Sequence, residues 1–208
     1  MRKVIEKTIA EGGVVVDLRA PGTYGEGHLP GSICVGIVGK FSTWAAWVVP
    51  YDVPIVIVSS RCAAGDAIGD AVRGLIRVGL DRIAGQAAGG VARWRESGRK
   101  LAVTEQIAPR ELSEQRSAGS GPHVVDVRGD GEWQSGHVPG ALHVTAAELA
   151  TRVSELPEDG RALAVVCAGG YRSTIAASLL ERAGRSDVLN VAGGMAAWSR
   201  EQLELEQA

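Results

Sequence analysis

A chain of 208 residues has room for one large domain or two small ones. Its 45% hydrophobic and 22% charged residues are those of an ordinary globular protein, and with a net charge of -2 and no basic run nothing points to nucleic acid or an anionic membrane, so neither is expected as a partner. No apolar stretch reaches the roughly 20 residues that a spanning helix needs, and the N-terminus lacks a signal-peptide core. The three cysteines form no CxxC pair, which suits a reducing compartment, so the expected location is cytoplasmic.

In chain order, Val15-Val16-Asp17-Leu18-Arg19 is the first apolar strand signal, and Gly27-His28-Leu29-Pro30-Gly31 reads as a turn. Cys34 lies in the apolar run Ile33-Cys34-Val35 and is expected to be inert core. Trp44 and Trp47, three apart in Phe41–Pro50, would share a helix face and serve packing. Pro54-Ile55-Val56-Ile57-Val58 is a buried strand leading into Ser59-Ser60-Arg61-Cys62-Ala63-Ala64. The polar stretch from Ser97 to about Thr104 suits a join. Beyond it the pattern predicts a helix from Pro109, a strand at 123–128, a helix-like stretch at 146–154, strands at 162–166 and 187–191, a helix at 173–182, and a final turn-helix at Met195–Trp198.

The chain repeats itself. Val15–Arg19 returns as Val124-Val125-Asp126-Val127-Arg128, Gly27–Gly31 as Gly136-His137-Val138-Pro139-Gly140, and Gly89-Gly90-Val91-Ala92-Arg93-Trp94 as Gly193-Gly194-Met195-Ala196-Ala197-Trp198. Three matches in the same order imply two copies of one unit. The expected fold class is therefore α/β, with domains at 1–99 and 100–208, each a parallel sheet flanked by helices.

The two copies differ where chemistry is expected. In the second, the strand Ala162–Val166 runs into Cys167-Ala168-Gly169-Gly170-Tyr171-Arg172-Ser173 and then into a helix. Two glycines allow successive amides to turn inward as an anion nest, the helix N-terminus adds partial positive charge, and Arg172 adds a full one. A cysteine there is expected to react as its thiolate. In the first copy, matching apolar strand to apolar strand puts Ser59 in the place of Cys167 and Ala64 in that of Arg172. The register that would align Cys62 with Cys167 forces Ser59, Ser60 and Arg61 into a buried strand and is rejected. Cys62 is then a loop bystander, and the first copy carries a degenerate loop.

The Cys167 loop resembles the active-site loop of the rhodanese family of sulfurtransferases. Asp126-Val127-Arg128, Glu132-Trp133, Gly136–Ala141 and Gly193–Trp198 resemble that family's flanking signatures, so the resemblance covers essentially all of the second copy. It implies a persulfide on Cys167, with Ala168, Gly169, Gly170, Tyr171, Arg172 and Ser173 binding substrate. Asp126 and Arg128 either pair at the strand end or support the site, and the pairing role is favoured. His137 is read as a turn-holder, because His28 occupies its place in a copy without the cysteine. The stretch Phe41–Pro50 resembles the first of two rhodanese modules that follow a metallo-β-lactamase-fold domain in bacterial fusion proteins. That resemblance implies a metallo-β-lactamase-fold partner or a fragment of such a fusion, although this chain has no HxHxDH-type motif.

Family likeness implies ping-pong transfer of a sulfane sulfur from thiosulfate or a persulfide donor to a thiol or cyanide acceptor. No cofactor and no metal are expected, because the four histidines give no ligand spacing. The alternatives are a non-catalytic binding or regulatory module and a cysteine-dependent phosphatase. Against the phosphatase, the four residues between Cys167 and Arg172 make a smaller ring than phosphatase loops use, and Val166 stands before the cysteine where they have histidine.

Overall fold

The computed structural model describes residues 2–59 and 66–207. The chain divides into two compact units, Met1–Val103 and Thr104–Ala208. The first contains α1 (Arg2–Ala10), β1 (Val14–Asp17), α2 (Pro21–Gly25), β2 (Ile33–Cys34), α3 (Phe41–Val48), β3 (Ile55–Ser59), α4 (Ala67–Ile76), β4 (Ile83–Ala88) and α5 (Gly90–Glu96). The second contains β5 (Glu105–Ile107), α6 (Pro109–Ser117), β6 (His123–Asp126), α7 (Asp130–Gln134), β7 (Leu142–His143), α8 (Leu149–Arg152), β8 (Leu163–Val166), α9 (Tyr171–Arg182), β9 (Val188–Val191) and α10 (Gly194–Arg200).

Both sheets are parallel throughout, in the order β2-β1-β3-β4 and β5-β9-β8-β6-β7. Apart from β5, the second unit repeats the element succession and strand order of the first. The central strands β1, β3 and β8 are buried at every residue, as parallel strands covered on both faces must be. Ile5 of α1 joins Val15, Val56 and Val58 in one core. Ile107, Leu112, Val124, Val166, Val191 and Trp198 belong to the other. At about 25 cal/mol per Å², burying side chains of this size is the main favourable term holding each sheet to its helices.

Several boundaries differ from the sequence reading. Residues 100–103, assigned above to the second domain, close the first, because His28 and Ala102 exchange both backbone hydrogen bonds. Thr104 is buried in the second unit and donates its hydroxyl to Glu181. The strand predicted at 123–128 ends at Asp126; Val127 N–H still donates to Val166 O, but Arg128 N–H turns back to the Asp126 carboxylate. The stretch 146–154 holds only the short α8 and a 3₁₀ turn, Val153–Glu155. Helix α9 starts at Tyr171 rather than Ser173, since Gly170 supplies the left-handed residue before it. On α3 the buried face is Phe41, Ala45 and Val48, and Trp47 lies 40% exposed on the other side. No helix among the described residues is long and apolar enough to cross a membrane.

Candidate active site

Strand β8 delivers Cys167 to its C-terminal end with the residue almost wholly buried. Ala168 and Gly169 are exposed on the outside of the loop. Gly170, at φ +97°, takes the left-handed conformation that lets the chain turn straight into α9. Its N–H donates to Cys167 Sγ at 3.1 Å. The sulfur thus faces a backbone amide and the start of a twelve-residue helix, both of which favour negative charge. Ser173 Oγ lies 3.4 Å from Sγ and is fully enclosed, so it meets the thiol from inside rather than the solvent side. Tyr171 and Arg172 are half-buried at the rim.

The loop is tied down from behind. Met195 N–H donates to Cys167 O at 2.8 Å, and Ala196 N–H to Ala168 O at 2.9 Å. This approach is possible because Gly194, at φ +57°, has no side chain; a Cβ there would sit 2.2 Å from Cys167 O. The closing Gly193–Trp198 motif therefore holds the catalytic candidate in place.

The full positive charge that Arg172 brings to the loop is matched by a carboxylate. Arg172 Nη1 and Nη2 donate to Glu132 Oε2 and Oε1 at 2.6 and 2.7 Å, a two-pronged pair. The guanidinium hydrogen bonds hold the Glu132 carboxyl below the usual carboxylate range, and the same bonds raise Arg172. Glu132 appears in the sequence only as part of a signature, not as a site residue. Its backbone-capping spacing, with Gly129 N–H donating to Glu132 Oε2 at 3.4 Å, is a local signal; its partnership with Arg172 is not.

Asp126 and Arg128 form a buried strand-end clasp. Arg128 donates through its backbone N–H, Nε and Nη2 to the Asp126 carboxylate, and through Nη2 to Gly136 O at 2.8 Å. Asp17, Arg19 and Gly27 make the same set of bonds in the first unit. His137 stacks on Trp133 at 3.4 Å, and its Nδ1 sits 3.1 Å from Trp133 O, which can only accept. His28 does the same with Tyr24. Both devices pin the turn after the first inner strand of each unit.

In the first unit, Asp17 pairs with Val58 as Asp126 pairs with Val166, so Ser59 stands at the strand position of Cys167. Cys62 and Ala64 lie outside the described residues, and Cys34 is fully buried. Among the described residues no three His, Cys, Asp or Glu side chains gather as a metal site.

Residues 108–201 match the family described as Rhodanese-like domain. The chain is 32% identical over 103 residues to a sulfurtransferase of Allochromatium vinosum, covering 50% of this chain and 95% of that one. It is 34% identical over 94 residues to thiosulfate sulfurtransferase GlpE of Pseudomonas savastanoi pv. phaseolicola, covering 45% and 86%. Other relatives are longer: the chain spans 45% of HTH-type transcriptional regulator Rv0324 of Mycobacterium tuberculosis, at 36% identity over 105 residues, and 41% of a Bacillus subtilis relative. Among solved structures, a rhodanese-like domain protein from Staphylococcus aureus aligns over 50% of this chain and 99% of its own, at 31% identity and a TM-score of 0.46.

Proposed function

The chain belongs to the rhodanese-like domain family, and from that premise we propose that its second unit is a sulfurtransferase working through a persulfide on Cys167. The Cys167 thiolate attacks the outer sulfur of thiosulfate, or of a persulfide donor. The sulfur–sulfur bond of the donor breaks, its electron pair leaves with sulfite or the donor thiolate, and a Cys–S–S⁻ persulfide remains. A thiol or cyanide then attacks the outer sulfur and returns Cys167 as thiolate, so no oxidant or reductant is consumed. The Gly170 amide and the start of α9 stabilise the anionic sulfur in both forms. Ala168 and Gly169, exposed on the loop, offer the donor its approach, with Tyr171 and Arg172 beside it.

The observation that carries this reading is the Gly170 N–H aimed at a cysteine sulfur at a strand-to-helix turn. The near-complete burial of Cys167 is what favours the rival, a module that binds a partner without turnover. Incubation with thiosulfate followed by mass spectrometry separates them: one added sulfur atom, absent in Cys167→Ser, is expected of the transferase and not of the module. Parallel thiosulfate:cyanide and glutathione persulfide assays then rank the donors.

The first unit is read as a second rhodanese-like copy that has lost the nucleophile. Its shared strand order, its Asp17–Arg19–Gly27 clasp and the position of Ser59 support that reading. The metallo-β-lactamase-fold partner rests on the stretch 41–50 alone.

A further inference from the structure

Ser59 ends β3 with 5% of its surface exposed, and among the described residues its hydroxyl has no hydrogen-bond partner. Buried hydroxyls are nearly always paired, so an orphan of this kind calls for an explanation. Ser59 lines a crevice of about 330 Å³ within the first unit, together with Arg19, Glu26, Val91, Arg95 and Leu101. That volume is at the lower end of the roughly 300–1,000 Å³ typical of small-molecule sites. The crevice sits at the C-terminal ends of β1 and β3. From β1 the chain passes to β2 on one side, and from β3 to β4 on the other. Open parallel sheets place ligands at such a reversal.

The lining charges define what fits. Arg19 is clasped by the buried Asp17, which balances it. Glu26 and Arg95 are exposed, and among the described residues neither forms a salt bridge, with the other or with any third group. The crevice therefore presents one positive and one negative group that do not cancel each other, above apolar walls and a hydroxyl floor. A simple anion would meet Glu26, and a simple cation would meet Arg95. We infer that the first unit holds a binding site for a small zwitterion of the amino-acid class, its carboxylate on Arg95, its ammonium on Glu26, and its side chain running along Val91 and Leu101 toward Ser59. This site does not depend on the Cys167 chemistry.

The test is an amide NMR titration of the full chain with L-methionine, a zwitterion without a thiol to react at Cys167. Saturable shifts are expected at the Gly27 and Gly89 amides. N-acetyl-L-methionine, which lacks the ammonium, and L-methioninamide, which lacks the carboxylate, are each expected to bind about tenfold more weakly. Arg95→Gln and Glu26→Gln, both at exposed positions, should each weaken L-methionine by a similar factor. Ser59→Ala should weaken it a few-fold while leaving no group unpaired. No saturable shift at these amides up to about 20 mM overturns the inference. So does equal binding of the two analogues and L-methionine, or unchanged affinity in both charge variants. The analogue comparison uses the unmodified chain, so it decides the matter even if a variant fails to fold.

Discussion

Substituting one sulfur atom is the most direct probe of the loop. Cys167→Ser is expected to abolish persulfide formation, while Cys34→Ala and Cys62→Ala keep most of it; an equal loss in Cys62→Ala would mean that the first unit's loop carries the chemistry. Arg172 needs a second experiment, because its charge is already matched by Glu132 at 2.6 and 2.7 Å. Glu132→Gln should raise kcat/KM for thiosulfate by about two- to fivefold, by leaving Arg172 net positive near the incoming anion, whereas Arg172→Ala should lower it. A thiosulfate rate that is the same in both variants and in the wild type would remove Arg172 from donor recognition. The pair also has a pH signature. The Glu132 carboxyl lies below its ordinary value, chiefly through the Arg172 hydrogen bonds, so its stabilisation is fully present above the unfolded carboxylate value and is lost as pH falls through the lowered one. With Glu132 42% exposed, solvent screening keeps that contribution to about 1 kcal/mol or less. Urea midpoints of wild type and Glu132→Gln should therefore differ at pH 7 and converge only as pH falls through the lowered Glu132 value. At this scale, what was legible in the sequence is what is contiguous in it: cysteine, glycines and arginine stand within one short loop. Glu132 is 40 positions away, and only the folded chain brings it to Arg172.

The elements that position the loop are a strand, a helix and a glycine turn, and the turn is the most restrictive of the three. Gly194→Ala would place a methyl 2.2 Å from Cys167 O at a residue with φ +57°, so both the loop and the start of α10 must shift. A loss of about 2–3 kcal/mol in stability is expected, with slower persulfide formation read by stopped mass-spectrometric sampling. Gly169→Ala is the matched control. It meets nothing within 4 Å and its φ is not positive, so a change within about 0.5 kcal/mol is expected. Equal effects from the two would mean that the Gly193-Gly194 turn does not hold the loop. Elements with a full apolar run, such as β3 and β8, could be read from sequence because burial on both faces dictates their composition. Strands β5 and β7 could not. They are three and two residues long, with Glu105 and Gln106 exposed and Leu142 37% exposed, and they exist only because β9 and β6 offer them hydrogen bonds. Short helix α7 likewise has no buried residue to give it a periodic stripe.

For the whole molecule, the repeat made two units legible, but the position of the cut depends on pairings that the repeat does not encode. His28 and Ala102 exchange backbone hydrogen bonds across most of the first unit, as His137 and Glu206 do in the second. Each unit thus closes by returning its last residues to the turn that carries its histidine. The second unit further secures this return by Trp198 Nε1 donating to Glu204 O at 2.9 Å. At its other end β5 places Ile107 in the core beside Leu112, Val191 and Trp198, and Thr104 reaches Glu181. Everything that its sheet and core need therefore lies between 104 and 207, a span of ordinary domain size. Residues 104–208 expressed alone are expected to unfold in one cooperative transition and to take one sulfur atom at Cys167. A fragment of 108–208, stripped of β5, should be weaker by about 2–4 kcal/mol, because it loses an edge strand and a buried isoleucine. Urea unfolding of the two fragments, followed by mass spectrometry after thiosulfate, is the measurement. If 108–208 proves as stable as 104–208, β5 is dispensable and the unit begins later than the sheet indicates. If 104–208 fails to fold, the second unit is not self-sufficient, and its closure by Glu206 and β5 is not enough to hold the Cys167 loop.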